Sequence, residues 1–264
     1  MATVVPFPGL RYAPALAKQL AKLVTPPYDI ISPKDQERFY RASPENIIRL
    51  EYGRVKPDDR DSRNRYTRAR AVLGDWLKRG VLGVDKRPAF YVLQTHYMDP
   101  RGASRTFTGV MCRVKLEPLG EGSVLPHERT FQGPKTDRLN LLEATGVSFS
   151  PVFSLYRDTP GTCAAWLKKI CRRTPWADFK DWSGNRQKLW VVNASDEVKF
   201  FQSQMRSKKL LIADGHHRYS TALNYRDRHR GLPVPEDDTV MMCLADSADP
   251  GLTVLPVYRL VRGV

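Results

Sequence analysis

The spacing of apolar residues changes several times along the chain, and each change predicts an element. From Val4 to Ile31 the apolar positions are interrupted by Pro6, Pro8, Pro26 and Pro27. Proline fixes φ, lacks an N–H and pushes its predecessor out of the helical region, so both ends of this segment are expected as extended chain and turns. A short helix fits between them, over Pro14 to Leu23. Ser32-Pro33-Lys34-Asp35 has the order of a helix start, with a hydroxyl cap, proline at the first helical position and an acid in the first turn, and this helix is expected to end near Ala42. The apolar run Ile47-Ile48-Arg49-Leu50 predicts a short strand. Tyr66, Ala69, Leu73, Trp76 and Leu77 then recur at helical spacing, predicting a helix from about Asp61 to Arg79 that Gly80 stops.

Ala89 to His96 and Thr106 to Leu116 are rich in β-branched and aromatic residues, and the turn residues Asp99-Pro100-Arg101-Gly102 separate them, so a β-hairpin is expected. Beyond it the pattern predicts a helix over Thr136 to Gly146, a strand over Ser150 to Tyr156 and a helix over Thr162 to Arg173. A strand over Gln187 to Asn193 and a helix over Asp196 to Met205 follow. The apolar strand Lys209 to Ala213 then runs into a helix over His216 to Arg230, and strands are expected over Thr239 to Ala245 and Thr253 to Val261. The fold class is therefore α+β, with mixed strands and short helices. Residues 1–116 read as an N-terminal α/β elaboration and residues 117–264 as the region that carries function, the two forming either separate regions or one compact unit.

Composition adds three bounds. No run approaches the roughly 18 apolar residues of a membrane span, and the N-terminus lacks a basic stretch followed by an apolar one, so a cytoplasmic protein is expected. Cys112, Cys163, Cys171 and Cys243 show no CxxC pairing, which argues against a zinc ribbon or a disulfide framework. Cys163 and Cys171 share a helical face with Trp166, Leu167 and Ile170 and read as core thiols. The formal net charge of +15 suits an anionic partner. Its densest run, Arg60 to Arg70, is broken by Asp61 and overlaps a predicted helix, so it reads as a solvated face before a nucleic-acid patch, and nucleic acid is not the favoured partner.

Three constellations carry candidate chemistry. In the first, an apolar strand delivers Asp214-Gly215 into a helix that begins His216-His217-Arg218. Free backbone N–H groups and the positive end of the helix dipole suit an anion there. Gly215 permits positive φ or a close ligand approach, and Arg218 offers a planar fork for phosphate oxygens. A carboxylate beside phosphate donors makes sense where Mg²⁺ bridges the two, which gives Asp214 a metal role. The residue types alone leave open that Asp214 merely caps the helix, with His216, His217 and Arg218 on a solvated first turn. Zinc is a weaker reading, because adjacent histidines diverge and no HExxH or CxxC partner exists. In the second, Pro126-His127-Glu128-Arg129-Thr130 presents His127 and Glu128 from a proline-bounded turn; either can serve as a general base, and Glu128 can equally be a cap or a surface ion-pair partner. In the third, Thr25-Pro26-Pro27-Tyr28-Asp29 is a stiff turn whose Tyr28 and Asp29 form either a substrate wall or a structural corner.

The strand with Asp214-Gly215-His216-His217-Arg218-Tyr219 resembles the signature of the ParB/sulfiredoxin-like superfamily, and within it that of the free serine kinases. Pro6 to Tyr12, Pro26 to Ser32, Pro126 to Thr130, Ile212 to Tyr219 and Asp249 to Leu252 together resemble the family called domain of unknown function 1015, over nearly the whole chain. The resemblance implies a mixed-sheet core of the ParB/sulfiredoxin-like type. It further implies that Asp214, Gly215, His216, His217 and Arg218 hold nucleotide phosphates, with Asp214 by the metal, and that Glu128 activates a serine hydroxyl with His127 as its neighbour. Two departures stand out. Leu255-Pro256-Val257-Tyr258-Arg259 occupies the place of the family's Leu-Pro-Thr-His-Arg, and Glu128 lies much further from Asp214 than in the compact kinases.

The expected activity is phosphoryl transfer from ATP or ADP, with Mg²⁺, to the hydroxyl of free serine or a similar amino acid. The alternative is a ParB-like nucleotide-binding switch that controls DNA or protein association; the charge favours it, and the absence of a recognisable helix-turn-helix counts against it. A sulfiredoxin-like redox enzyme needs a reactive cysteine beside the phosphate loop, and none lies there in sequence. The sequence leaves the oligomeric state open.

Overall fold

The computed structural model describes residues 1–128, 132–229 and 238–254, with no account of the side chains of 132–135. Two short strands, β1 (Val4–Val5) and β2 (Leu10–Tyr12), open the chain. A 3-10 turn, Pro14–Gln19, runs into helix α1 (Leu20–Leu23), as the proline spacing predicts. Helix α2 (Pro33–Ala42) starts where the capping signal places it: the Ser32 side chain accepts from the Asp35 N–H.

The run at Ile47 is a correction. It forms helix α3 (Ile48–Glu51), not a strand, with the buried Asn46 amide oxygen accepting from the Ile48 N–H at 2.9 Å. Four apolar residues do not distinguish a buried strand from a buried helical turn; here Asn46, by capping the turn, decides. Helix α4 (Arg65–Lys78) begins at a capping box formed by Asn64 and Thr67 and ends before Gly80, at φ +70°.

Strand β3 (Leu82–Val84) pairs with β2 in a small two-stranded sheet. The hairpin of β4 (Phe90–Met98) and β5 (Ser104–Lys115) follows, then β6 (Val124–Leu125), α5 (Gln132–Thr145), β7 (Val152–Tyr156) and α6 (Thr162–Cys171). Strand β8 (Ala177–Lys180), which the apolar pattern does not announce, forms a hairpin with β9 (Arg186–Val192). The chain continues through α7 (Ser195–Met205), β10 (Leu210–Asp214), α8 (His216–Arg228) and β11 (Thr239–Asp246). The strand expected over 253–261 lies almost wholly outside the described residues, as do Arg129, Thr130 and the segment Leu255 to Arg259; residues 253 and 254 are not in a strand.

Among the described residues, nine strands form one mixed sheet in the order β6-β10-β7-β11-β5-β4-β9-β8, with β1 added on β5. Two neighbour pairs are parallel, β6 with β10 and β7 with β11; the others are antiparallel. The fold is α+β, and strands from both halves of the chain share this sheet. Its main core joins Val92, Val110, Val152, Ile212 and Met242 of the strands to Trp166 and Ile170 of α6, Phe201 and Met205 of α7 and Tyr219 of α8. A second core packs α1, α3, α4 and α5 around Leu23, Leu50, Leu73, Trp76 and Leu141. Helix α5 lies between α4 and α8, so the N-terminal helices are held against the helix that follows the Asp-Gly turn. Among the described residues no helix is long and apolar enough to cross a membrane.

Candidate functional site

The parallel pairing of β6 with β10 builds the site. Val124 stands opposite Leu210 and Leu125 opposite Leu211. Both chains leave the sheet in the same direction, one into Pro126-His127-Glu128 and the other into Asp214-Gly215-His216. Two motifs 86 positions apart therefore emerge side by side at the carboxyl ends of parallel strands, the usual place for a ligand crevice in such sheets.

Three contacts tie the motifs together. The His127 N–H donates to His216 Nε2 at 3.2 Å, His127 Nδ1 donates to the Ile212 carbonyl at 2.5 Å, and His216 Nδ1 stands 3.0 Å from Glu128 Oε1. The two imidazoles meet edge to face, with centroids 4.5 Å apart. His216 is 1% exposed, whereas His127 and Glu128 are exposed.

These contacts assign the protons. A carbonyl only accepts, so His127 carries a proton on Nδ1. A peptide N–H only donates, so His216 Nε2 is the unprotonated nitrogen. Burial, the largest influence, lowers the His216 pKa against the opposing pull of Glu128, and the ring is held neutral. Its proton is therefore on Nδ1, facing the Glu128 carboxylate at ion-pair distance but without the alignment of a formed hydrogen bond.

His127, Glu128 and His216 offer ligand atoms within 4.8 Å of one another. A cation held by all three would need a lone pair on His216 Nδ1. The tautomer inferred from the Nε2 contact puts a proton there, so the set as arranged is a carboxylate–imidazole pair with a second histidine beside it. The Mg²⁺ that the Asp214 motif implies would fall to the exposed Asp214 carboxylate, which also pairs with Arg218, because Mg²⁺ takes one or two carboxylate oxygens and completes its shell with phosphates and water.

Gly215 is the N-cap of α8, at φ +90°, and no side chain caps this helix. Asp214 is therefore not the cap; its carboxylate pairs with the Arg218 guanidinium. The N–H groups of the first turn lack intrahelical partners and face the positive end of the dipole. A Cβ on residue 215 would lie 3.0 Å from Arg218 Cζ and 3.3 Å from Val152 Cα, so only glycine fits this turn without displacement. Arg218 is largely buried and is engaged from both sides, by Asp214 and by the Pro151 carbonyl. His217 is half-buried, with Nδ1 buried and unpartnered. The first turn of α8 is thus not a solvated face: His216 turns to Glu128, Arg218 turns inward, and no side chain caps the backbone N–H groups.

A family model described as "Protein of unknown function (DUF1015)" matches residues 4–264. The chain belongs to the DUF1015 family. Neither a curated protein nor a solved structure matches it.

In this DUF1015 chain a second polar cluster, which the sequence does not announce, adjoins the loop. Arg138 of α5 is buried and donates to the Glu51 carbonyl at 3.1 Å, to Glu51 Oε1 at 3.2 Å and to Asp137. Asp137 also takes Arg65 and, at 2.7 Å, the Tyr66 hydroxyl. Ser150, next to the Pro151 that holds Arg218, donates to Glu51 at 2.6 Å. Tyr28 lies under the Arg138 guanidinium, 3.8 Å from carbon to ring centroid, and its hydroxyl pKa is raised by burial against the opposing charges of Arg138 and Arg218. Tyr28 therefore belongs to the wall of charged groups beside Arg218, while its neighbour Asp29 is exposed. The polar residues of this cluster give no sequence signal, because Glu51 and Arg138 meet across 87 positions.

The cysteines lie elsewhere. All four are free, and burial raises the Cys163 and Cys171 thiols to about 11 and Cys243 to about 12. They are core groups, with none of the thiolate character that redox chemistry requires.

Proposed function

We propose that the protein is a nucleotide-dependent small-molecule kinase that transfers a phosphoryl group from ATP or ADP to the hydroxyl of free serine or a similar amino acid. The observation that carries this reading is the meeting of Glu128 with the head of α8. An exposed carboxylate stands beside an uncapped helix N-terminus that follows a positive-φ glycine and a second exposed carboxylate. The likeness of both motifs to those of the free serine kinases supports it.

In this reading the backbone N–H groups of His216 and His217 hold phosphate oxygens, and Glu128 accepts the proton of the acceptor hydroxyl. The hydroxyl oxygen forms a bond to the terminal phosphorus as the bridging P–O bond breaks, releasing ADP from ATP or AMP from ADP. Asp214 would hold Mg²⁺, which neutralises phosphate charge when bound. Tyr28, which lies against Arg138 beside Arg218, bounds the site on the side of the N-terminal helices. A cytoplasmic setting supplies both substrates.

Phosphorus NMR of ATP and ADP incubated with serine, threonine and related hydroxy compounds tests the reading. A new phosphomonoester signal is expected with at least one acceptor. Glu128→Gln is expected to lower kcat by about 10²–10⁴-fold with nucleotide affinity kept, the range for removal of a general base. Equal loss of binding and turnover, or no loss of either, removes Glu128 from the mechanism.

The net charge of +15 favours the ParB-like switch as a second reading. Against it, Arg63, Arg65 and Arg68 of the densest arginine run pair with Asp58, Asp137 and Asp59. Nucleotide binding without phosphomonoester formation, together with steeply salt-dependent retention on duplex DNA, would replace the kinase by the switch.

A further inference from the structure

We propose that His216 is a positioning residue that holds the Glu128 carboxylate through an Nδ1–H donor, with the His127 peptide N–H locking the imidazole in the tautomer this requires. This assignment of the second motif's buried histidine rests on the kinase reading for its catalytic meaning, but not for its geometry.

The geometry is unusual for a phosphate loop. His216 begins the helix, yet its side chain is 1% exposed and turns inward to the Pro-His-Glu turn that follows β6. Its two ring nitrogens meet groups of opposite character. Nε2 faces a peptide N–H at 3.2 Å, and Nδ1 faces a carboxylate oxygen at 3.0 Å. A neutral imidazole has one acceptor and one donor nitrogen, and only the Nδ1–H tautomer satisfies both neighbours. His127 is fixed in turn by the Ile212 carbonyl and by edge-to-face contact with the His216 ring, so the peptide that selects the tautomer is itself anchored to β10.

Glu128 needs such an anchor. Its side chain is 55% exposed and sits at the end of a turn, where a free glutamate samples several rotamers. Catalysis by a base depends on holding the carboxylate oxygen within hydrogen-bond reach of the proton it takes, and a misplacement of about 1 Å lowers rates by roughly 10²-fold. A buried donor on the rigid head of a helix supplies that restraint. At 3.0 Å the contact lacks the alignment of a formed hydrogen bond, so the restraint requires the exposed Glu128 side chain to turn into line with Nδ1.

Two side chains separate the roles of the ring nitrogens. The asparagine amide nitrogen is bonded to Cγ and falls where Nδ1 lies, so His216→Asn keeps a donor toward Glu128. The glutamine amide lies one bond further out, at the place of Nε2, so His216→Gln keeps a partner for the His127 N–H and loses the donor to Glu128. We expect kcat to fall about 10-fold further in His216→Gln than in His216→Asn, with KM for nucleotide within about twofold in both. Equal loss in the two variants, or loss confined to KM, overturns the positioning role.

Ring ¹⁵N shifts of His216, in the unmodified protein and in a Glu128 variant that leaves His216 itself unchanged, provide a readout that needs no turnover. A protonated Nδ1 and a bare Nε2 are expected, with the Nδ1 resonance moving in Glu128→Gln. The opposite tautomer, or an Nδ1 resonance indifferent to Glu128, overturns the proposal. If no acceptor is phosphorylated by any nucleotide, the kinase reading falls, while the ¹⁵N shifts still decide whether His216 holds Glu128.

Discussion

Replacing Gly215 by alanine adds one carbon at the head of α8, and the structure sets what that carbon meets. Residue 215 sits at φ +90°, where an L side chain is strained, and the new Cβ falls 3.0 Å from Arg218 Cζ and Nε and 3.3 Å from the Val152 Cα. Val152 belongs to a central strand and cannot retreat, so the Arg218 guanidinium must move off the Pro151 carbonyl. The backbone strain is about 1.5 kcal/mol and the lost charged hydrogen bond about 2 kcal/mol, offset by about 0.7 kcal/mol from the stiffer unfolded chain, leaving a net loss of about 3 kcal/mol.

Two other glycines isolate the terms. Gly80 has φ +70° with nothing within 4 Å of a Cβ, so Gly80→Ala carries backbone strain alone and loses about 1 kcal/mol. Gly74, inside α4, has neither positive φ nor a neighbour within 4 Å, and Gly74→Ala is expected to gain about 0.5–1 kcal/mol. Urea unfolding followed by circular dichroism reads all three; with an m-value of about 3 kcal/mol/M, Gly215→Ala moves the midpoint down by about 1 M. A Gly215 variant no worse than the Gly80 variant would show that Arg218 and Val152 do not constrain the turn. Loss of stability in Gly74→Ala would refute the reasoning from helix geometry.

Other residues give separate tests. The buried Tyr219 hydroxyl donates to the Glu117 carbonyl at 2.8 Å and accepts from the Glu117 N–H at 3.1 Å. Tyr219→Phe orphans both backbone groups, and a loss of about 2 kcal/mol is expected, seen as a Tm lower by about 5 °C. Arg138→Met leaves Glu51 buried without its cation and is expected to destabilise the fold by about 3 kcal/mol, measured by urea unfolding. Burial raises the Glu51 pKa, partly opposed by Arg138 and the Ser150 hydroxyl. A carboxyl held above its unfolded value stabilises the fold most below that value, about 4.3, and this contribution is lost as pH rises through the folded pKa. The stability difference between the unmodified protein and Glu51→Gln is therefore expected to shrink as pH rises from about 4 to 7. Parallel urea midpoints across that range would contradict the burial account.

Local signals in the chain determine much of this fold. Ser32 and Pro33 place the start of α2, and Gly80 and Gly146 stand where α4 and α5 stop, because caps, fixed φ and positive-φ glycines act within a few residues. The Asp-Gly turn into α8 is legible for the same reason. The Ile47 run is not, since four apolar residues fit either a strand or a buried turn and Asn46 settles the choice only once it is buried. Residue types also mark Glu128, His127 and the Asp214 loop as chemically apt, without saying which groups face one another. That was decided by the register of β6 on β10, a pairing between strands far apart in sequence whose strength lies in backbone hydrogen bonds that carry no side-chain signature. The same pairing set His216 against Glu128, while the packing of α3 and α5 brought Glu51 and Arg138 together, with Tyr28 under the Arg138 guanidinium, and the tertiary fold took Arg218 to the Pro151 carbonyl. Short-range sterics wrote the elements into the sequence, and long-range strand pairing and the burial it imposed chose the partners of each functional group.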